Sequence, residues 1–163
     1  MNERKVMITG GTRVLVVEDK PIIALAIADT LEAMGMRVVG PAHSLSEALP
    51  LASSADFDVA LLDIWLGSAV SYSVGDLLRH RNIPFLLLTG GAGSPDEPES
   101  FRNARRLLKP FTDAEVRSAL EAALSEQISI TPSVGQDPEQ SSVGDAASHR
   151  KNSFNPGTGP GGP

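Results

Sequence analysis

The chain has no cysteine. That removes disulfides, iron–sulfur clusters, thiolate zinc sites and a cysteine nucleophile, and it fits a reducing compartment. Aromatic residues are scarce, at 4% of 163 residues, too few for a base-stacking surface. Positive charge is in deficit: 14 Lys and Arg stand against 20 Asp and Glu, a net charge of −6. The basic footprint of a nucleic-acid binder is missing. No apolar run approaches the roughly 18 residues that cross a bilayer. The opening MNERKVMITGGT carries charge but no apolar stretch of signal-peptide length. There is no internal repeat. The expectation is a cytoplasmic protein with neither membrane insertion nor nucleic-acid binding. What is present, 41% apolar and 21% charged residues, suits a globular chain long enough for one domain.

Composition divides the chain. From Gln127 to Pro163, 11 of 37 residues are Gly or Pro, and the seven apolar residues follow no period. Such a segment buries too little surface to offset its ordering entropy, so 127–163 is expected to be a disordered tail. Residues 1–12 are expected to be a flexible lead. The folded unit is placed at 13–126.

Within it, strand and helix signals alternate. RVLVVED at Arg13–Asp19, FDVALLD at Phe57–Asp63 and PFLLLT at Pro84–Thr89 contain continuous aliphatic runs, the mark of strands buried on both faces. Arg37–Gly40 and Arg105–Lys109 are shorter candidates. Pro21 opens a helix carrying Ile23, Ile27, Leu31 and Met34, and Gly35 stops it. Ser44–Glu47 and Thr112–Glu115 read as capping boxes. Pro50 shortens or bends the helix that Ser44 begins. Val74, Leu77 and Leu78 mark a third helix, and a weak fourth is placed at Glu97–Ala104. Val116, Leu120 and Leu124 continue the fifth. Five strands alternating with five helices predict an α/β fold with a doubly wound parallel sheet.

In such sheets the reactive groups gather at the carboxyl ends of the strands. Here those ends are polar: Glu18-Asp19, Asp63, Thr89 and Lys109. Three converging carboxylates repel one another unless a hard cation lies among them, and magnesium takes such oxygen ligands. Asp19 and Asp63 are placed to ligate it directly and Glu18 through water. A carboxylate can also attack phosphorus to form an acyl phosphate. Lys109 would neutralise the phosphoryl charge, and the Thr89 hydroxyl would donate to it. Read singly, each of these residues is ordinary loop or cap chemistry. His43, His80 and His149 lack metal-ligand spacing and are expected at the surface. Trp65 suits the core or the site rim equally.

VLVVED, ALLDIWLG, LLLTG and LLKPF, in that order over roughly 13–126, resemble the receiver domain of bacterial two-component response regulators. DIWLGSAVSYSVGDLLRHRNIPFLLLTGGAG is similar to the single-domain alphaproteobacterial regulators of the FAT GUY group, whose fourth strand runs P-F-x-x-x-T-G-x-G. The resemblance implies a flavodoxin-like strand order 2-1-3-4-5, with Asp63 as phosphoacceptor. It implies Mg2+ on Glu18, Asp19, Asp63 and the backbone carbonyl of Trp65, with Thr89 and Lys109 contacting the phosphoryl group. The implied partners are a histidine kinase or phosphotransfer protein and a downstream protein, with the chain a monomer or weak homodimer. The implied chemistry is self-phosphorylation and autodephosphorylation, with no separate substrate.

Two positions depart from the pattern. Trp65 stands where Asn or another small residue is common. Arg106 stands where a switch aromatic is usual; it is expected at the surface, paired with an acid among Asp96, Glu97 and Glu99. Two other functions compete. An aspartyl-phosphate hydrolase wants a second acid two residues after its nucleophile, and Trp65 is there instead. A binding module that is never phosphorylated has no need of the full set of Glu18, Asp19, Asp63 and Lys109.

Overall fold

Aliphatic runs with no polar face become the centre of the sheet. The computed structural model describes residues 8, 10–91 and 96–130, all within the compact unit Met1–Pro132. The expected lead, up to residue 7 and at residue 9, lies outside the described residues, as does the expected tail from 131 onward. The elements in chain order are β1 (Arg13–Val17), α1 (Pro21–Ala33), β2 (Arg37–Ala42), α2 (Leu45–Ser54) and β3 (Val59–Asp63). There follow β4 (Trp65–Leu66), β5 (Ala69–Val70), α3 (Tyr72–His80), β6 (Phe85–Thr89), a 3-10 turn (Glu99–Phe101), β7 (Arg106–Leu108) and α4 (Asp113–Ile130).

The main sheet has five strands in the order β2-β1-β3-β6-β7, all paired in parallel. Counted by its own strands, this is the expected 2-1-3-4-5. Alternate side chains serve opposite faces. Val14, Val16, Leu61, Leu86 and Leu88 pack with Ile27 and Leu31 of α1 and Val116 and Leu120 of α4. Leu15, Val17, Leu62 and Leu87 pack with Ala48 and Ala52 of α2 and Val74 and Leu78 of α3.

The local signals act as expected at most element ends. Pro21 is the first residue of α1. Gly35, at φ +82°, takes the left-handed conformation that ends that helix. Thr112 and Glu115 form a reciprocal box: the Thr112 amide donates to Glu115 Oε2 at 2.7 Å, and the Glu115 amide to Thr112 Oγ1 at 3.3 Å. At α2 the box is split. Ser44 Oγ accepts from the Glu47 amide at 3.3 Å, but the Glu47 carboxylate reaches back to the His43 amide at 2.8 Å.

Three expectations need correction. Among the described residues there are four α-helices rather than five, and the weak fourth helix is a single 3-10 turn at Glu99–Phe101. Pro98 stands at its N-cap, and Pro disfavours helical backbone at the residue before it, so the turn does not extend back through Glu97. The fifth helix continues to Ile130, past the boundary at Glu126. Third, Trp65–Leu66 pairs antiparallel with Ala69–Val70 in a small hairpin that sequence reading missed. Its signal was visible as Gly67-Ser68 between two apolar pairs.

Candidate functional site

Parallel pairing without offset brings the polar strand ends onto one edge. Val17 is in register with Leu62, Asp63 with Leu88, and Thr89 with Leu108. Glu18 therefore follows β1 beside Asp63, and Lys109 follows β7 beside Thr89. The Lys109 amide donates to the Thr89 carbonyl at 2.7 Å.

Lys109 Nζ bridges the two buried acids, at 2.5 Å from Glu18 Oε2 and 2.7 Å from Asp63 Oδ2. The second Glu18 oxygen accepts from the Lys20 amide at 3.2 Å. Glu18 is fully buried. Burial pushes its carboxyl up, and the Asp63 charge adds to this, against the opposing pull of Lys109. Burial alone would lower the Lys109 ammonium, but its bonds to Asp63 and Glu18 outweigh it and hold the group above the usual lysine value. The lysine is thus a fixed positive charge.

The hairpin is tied to the same site. The Trp65 amide donates to Asp63 Oδ1 at 3.2 Å, and the Gly67 amide to Asp19 Oδ2 at 3.0 Å. Gly67 can do this because it sits at φ +66°, open to glycine without strain. Burial pushes the Asp19 carboxyl up, but the Gly67 amide and Lys20 together hold it below its ordinary value. Glu18, Asp19 and Asp63 each offer an oxygen within 4.8 Å of the others. An all-oxygen, anionic donor set of this kind suits a hard divalent cation.

Thr89 stands at the edge with its hydroxyl turned to its own loop. Oγ1 donates to the Gly91 carbonyl at 2.8 Å and accepts from the Gly91 amide at 3.2 Å. Trp65 is 50% exposed, which places it at the rim rather than in the core. His43 is half-buried rather than superficial, and its Nδ1 donates to the Glu18 carbonyl at 2.9 Å. His80 is exposed as expected, and His149 lies outside the described residues. Arg106 pairs with Glu97, one of the three expected acids. The pair is not superficial: the side chains are 25% and 10% exposed. Tyr72 and Phe101 crowd around it, a neighbourhood no local pattern encodes.

Comparison with known proteins agrees with this geometry. The sequence pattern of the family described as "Response regulator receiver domain" matches residues 14–121. The Phyllosphere-induced regulator PhyR of Methylorubrum extorquens is 32% identical over 123 residues, which cover 70% of this chain and 44% of PhyR. The chain spans about half the length of the first curated relatives it matches. The solution structure of SdrG from Sphingomonas melonis Fr1 is 37% identical, covers 72% of this chain and 98% of that one, and superposes with a TM-score of 0.62. The receiver domain of the sensor histidine kinase PA1611 from Pseudomonas aeruginosa PAO1 was solved with magnesium coordinated in its active-site cleft. It is 28% identical, covers 70% of this chain and 98% of its own, and has a TM-score of 0.61. Together with the five-stranded parallel sheet, these matches establish that the chain belongs to the family of response regulator receiver domains.

Proposed function

We propose that this chain is a phosphorylation switch that accepts a phosphoryl group on Asp63 and signals through altered protein contacts. The observation that carries the reading is Lys109 Nζ bridging Glu18 and Asp63, inside a cluster of three acids. A fixed ammonium beside the acceptor carboxylate places positive charge where a phosphoryl oxygen would come.

The step is a transfer to a carboxylate. An Asp63 oxygen forms a bond to phosphorus while the bond from phosphorus to the donor breaks, and the donor leaves with that electron pair. The product is an acyl phosphate. The donor implied by the family is a phosphohistidine on a histidine kinase or phosphotransfer protein. Hydrolysis by water restores the carboxylate and releases phosphate. Mg2+, held by Glu18, Asp19, Asp63 and the Trp65 backbone carbonyl, would neutralise charge on the transferring group. Lys109 holds charge on the other side, and Thr89 supplies a hydroxyl donor once released from Gly91. Transfer of this kind needs mostly positioning and charge stabilisation. No separate substrate is turned over. The downstream partner is a protein, and the cytoplasm is the proposed location; among the described residues no helix is long and apolar enough to cross a membrane.

The experiment is labelling with acetyl phosphate, with and without magnesium, followed by mass spectrometry of the modified residue. A single magnesium-dependent phosphoryl group on Asp63, lost in Asp63→Asn with the fold intact, is the expected result. Label persisting on Glu18 or Asp19 in that variant refutes the assignment. Steady turnover of an aryl phosphate would favour a hydrolase instead.

A further inference from the structure

Strand β2 leaves the sheet before it has paired fully with the end of β1. The Glu18 amide donates to the Ala42 carbonyl at 2.9 Å. A parallel ladder would take its next rung from the Ser44 amide back to the Glu18 carbonyl. But β2 ends at Ala42, and Ser44 is already the N-cap of α2. A side chain supplies the rung: His43 Nδ1 lies 2.9 Å from the Glu18 carbonyl oxygen. A carbonyl only accepts, so Nδ1 carries the proton that is donated.

His43 is itself held from the other side. Its amide donates to Glu47 Oε2 at 2.8 Å, and the Glu47 amide donates to Ser44 Oγ at 3.3 Å. The first turn of α2 therefore fixes the backbone of His43 while the ring reaches across to β1.

What the ring holds is the peptide plane between Glu18 and Asp19. Glu18 is fully buried, so its carbonyl is out of reach of solvent, and a buried carbonyl needs a partner. Without the imidazole the plane is free to turn, and the acids on either side of it turn with it. Each acid is otherwise held through its carboxylate. Glu18 is held by the Lys20 amide and Lys109, and Asp19 by the Gly67 amide and the Lys20 ammonium. Those are the oxygens a cation needs. The His43 bond holds main chain and leaves them untouched.

We propose that His43 is a positioning residue for the cation-binding acids: its Nδ1–H, on the Glu18 carbonyl, fixes the peptide plane that sets Glu18 and Asp19 against Asp63. The inference rests on the reading of these three acids as the magnesium site of the phosphoacceptor. It adds to that reading a residue that touches neither cation nor phosphoryl group. Loss of a group that orients metal ligands from outside costs about 10–100-fold in metal affinity. His43 acts through main chain rather than through a ligand oxygen, so the lower end of that range applies.

The test uses the whole chain and magnesium alone, titrated while the amide shifts of Glu18, Asp19 and Trp65 are followed. Two substitutions separate the donor from the bulk of the ring. The side-chain amide nitrogen of Asn stands the same number of bonds from Cα as Nδ1 of His, so His43→Asn keeps the donor and loses volume. His43→Leu keeps volume and loses the donor. His43→Asn is expected to bind magnesium within about two-fold of the native chain, and His43→Leu about ten-fold more weakly. Without metal, ring nitrogen spectra of the native chain should show the proton on Nδ1. The Asp19 amide, part of the held plane, should exchange hydrogen faster in His43→Leu than in His43→Asn. Equal affinities in the two variants, or tighter binding by His43→Leu, would make His43 a packing residue and overturn the inference. So would an Nδ1 that carries no proton. If His43→Leu does not fold, His43→Ala replaces it: weakening there with near-native affinity in His43→Asn supports the donor, and any other order overturns it. A native chain that binds no magnesium would overturn the reading of the acids as a cation site, and this inference with it. Magnesium binding without an acetyl phosphate label on Asp63 would overturn the phosphoacceptor reading alone.

Discussion

Gly75→Ala separates two opposed physical effects, and the structure decides the sign. Gly75 lies inside α3, where replacing glycine with alanine ordinarily stabilises a helix by about 0.5–1 kcal/mol. Here the added Cβ would sit 2.5 Å from Phe101 Cε1, 2.9 Å from Phe101 Cζ and 3.3 Å from Phe85 Cζ. Real carbons do not approach so closely, so the ring must move. It has little room, because Phe101 is fully buried, packed on Tyr72 and capped by Arg79. Overpacking of this kind costs about 1–3 kcal/mol. Subtracting the helix gain leaves a net loss centred near about 1 kcal/mol and at most about 2.5 kcal/mol, which lowers the melting temperature of a domain of this size by several degrees. Thermal unfolding followed by circular dichroism measures it, with urea midpoints as a second probe. Phe101→Leu supplies the control, since it removes the atoms that clash. In that background Gly75→Ala should cost about 1 kcal/mol less than in the native chain, the signature of two residues in contact. A rise in melting temperature for Gly75→Ala, or an identical cost in both backgrounds, would refute this packing of Phe101 on Gly75.

Lys109→Met should destabilise the metal-free protein by about 3 kcal/mol, because it strands two buried carboxylates without their cation. Magnesium should bind the variant several-fold more tightly than the native chain and restore part of the loss; weaker binding in calorimetry would contradict the cluster's electrostatics. Trp65→Asn should speed loss of the phosphoryl group from Asp63, since a half-exposed ring at the rim hinders in-line approach of water, while magnesium affinity stays nearly constant. Equal decay rates, followed by mass spectrometry, would remove the steric argument. Asp58 accepts from the Arg13 amide at 2.8 Å and from its guanidinium at 3.0 Å. Those bonds to Arg13 hold its carboxyl below the usual aspartate value against the opposing effect of burial. Its contribution is therefore present above the ordinary aspartate pKa and is lost as pH falls through the lower folded value. With both side chains more than a third exposed, Asp58→Asn should cost no more than about 1 kcal/mol at neutral pH. The two proteins should converge in urea stability as the pH falls below that folded value; a gap that widens in acid would reverse the sign.

Much of this protein is written locally. Unbroken aliphatic runs at β1, β3 and β6 declare strands that have no water-facing side, and Pro21, Gly35, Ser44 and Thr112 mark helix ends through bonds that span only a few residues. The candidate site was legible as a set of positions, since Glu18, Asp19, Asp63, Thr89 and Lys109 end or follow strands that a parallel sheet must align. Tertiary structure alone decided what those residues touch. Lys109 meets Glu18 across 91 positions of chain and Asp63 across 46, and only the register of the sheet could bring them together. The same holds for the departures. Glu97–Ala104 has enough helical character to suggest a helix, yet Phe101 finds a better place in a socket that exists only because α3 carries Gly75 at that point of contact. Arg106 looks superficial because a charged side chain is costly to bury, and it is half-buried because Glu97, nine residues earlier in the chain, meets it. Local sequence reports which conformation each segment prefers. Packing reports which of those preferences survives contact with segments far away along the chain.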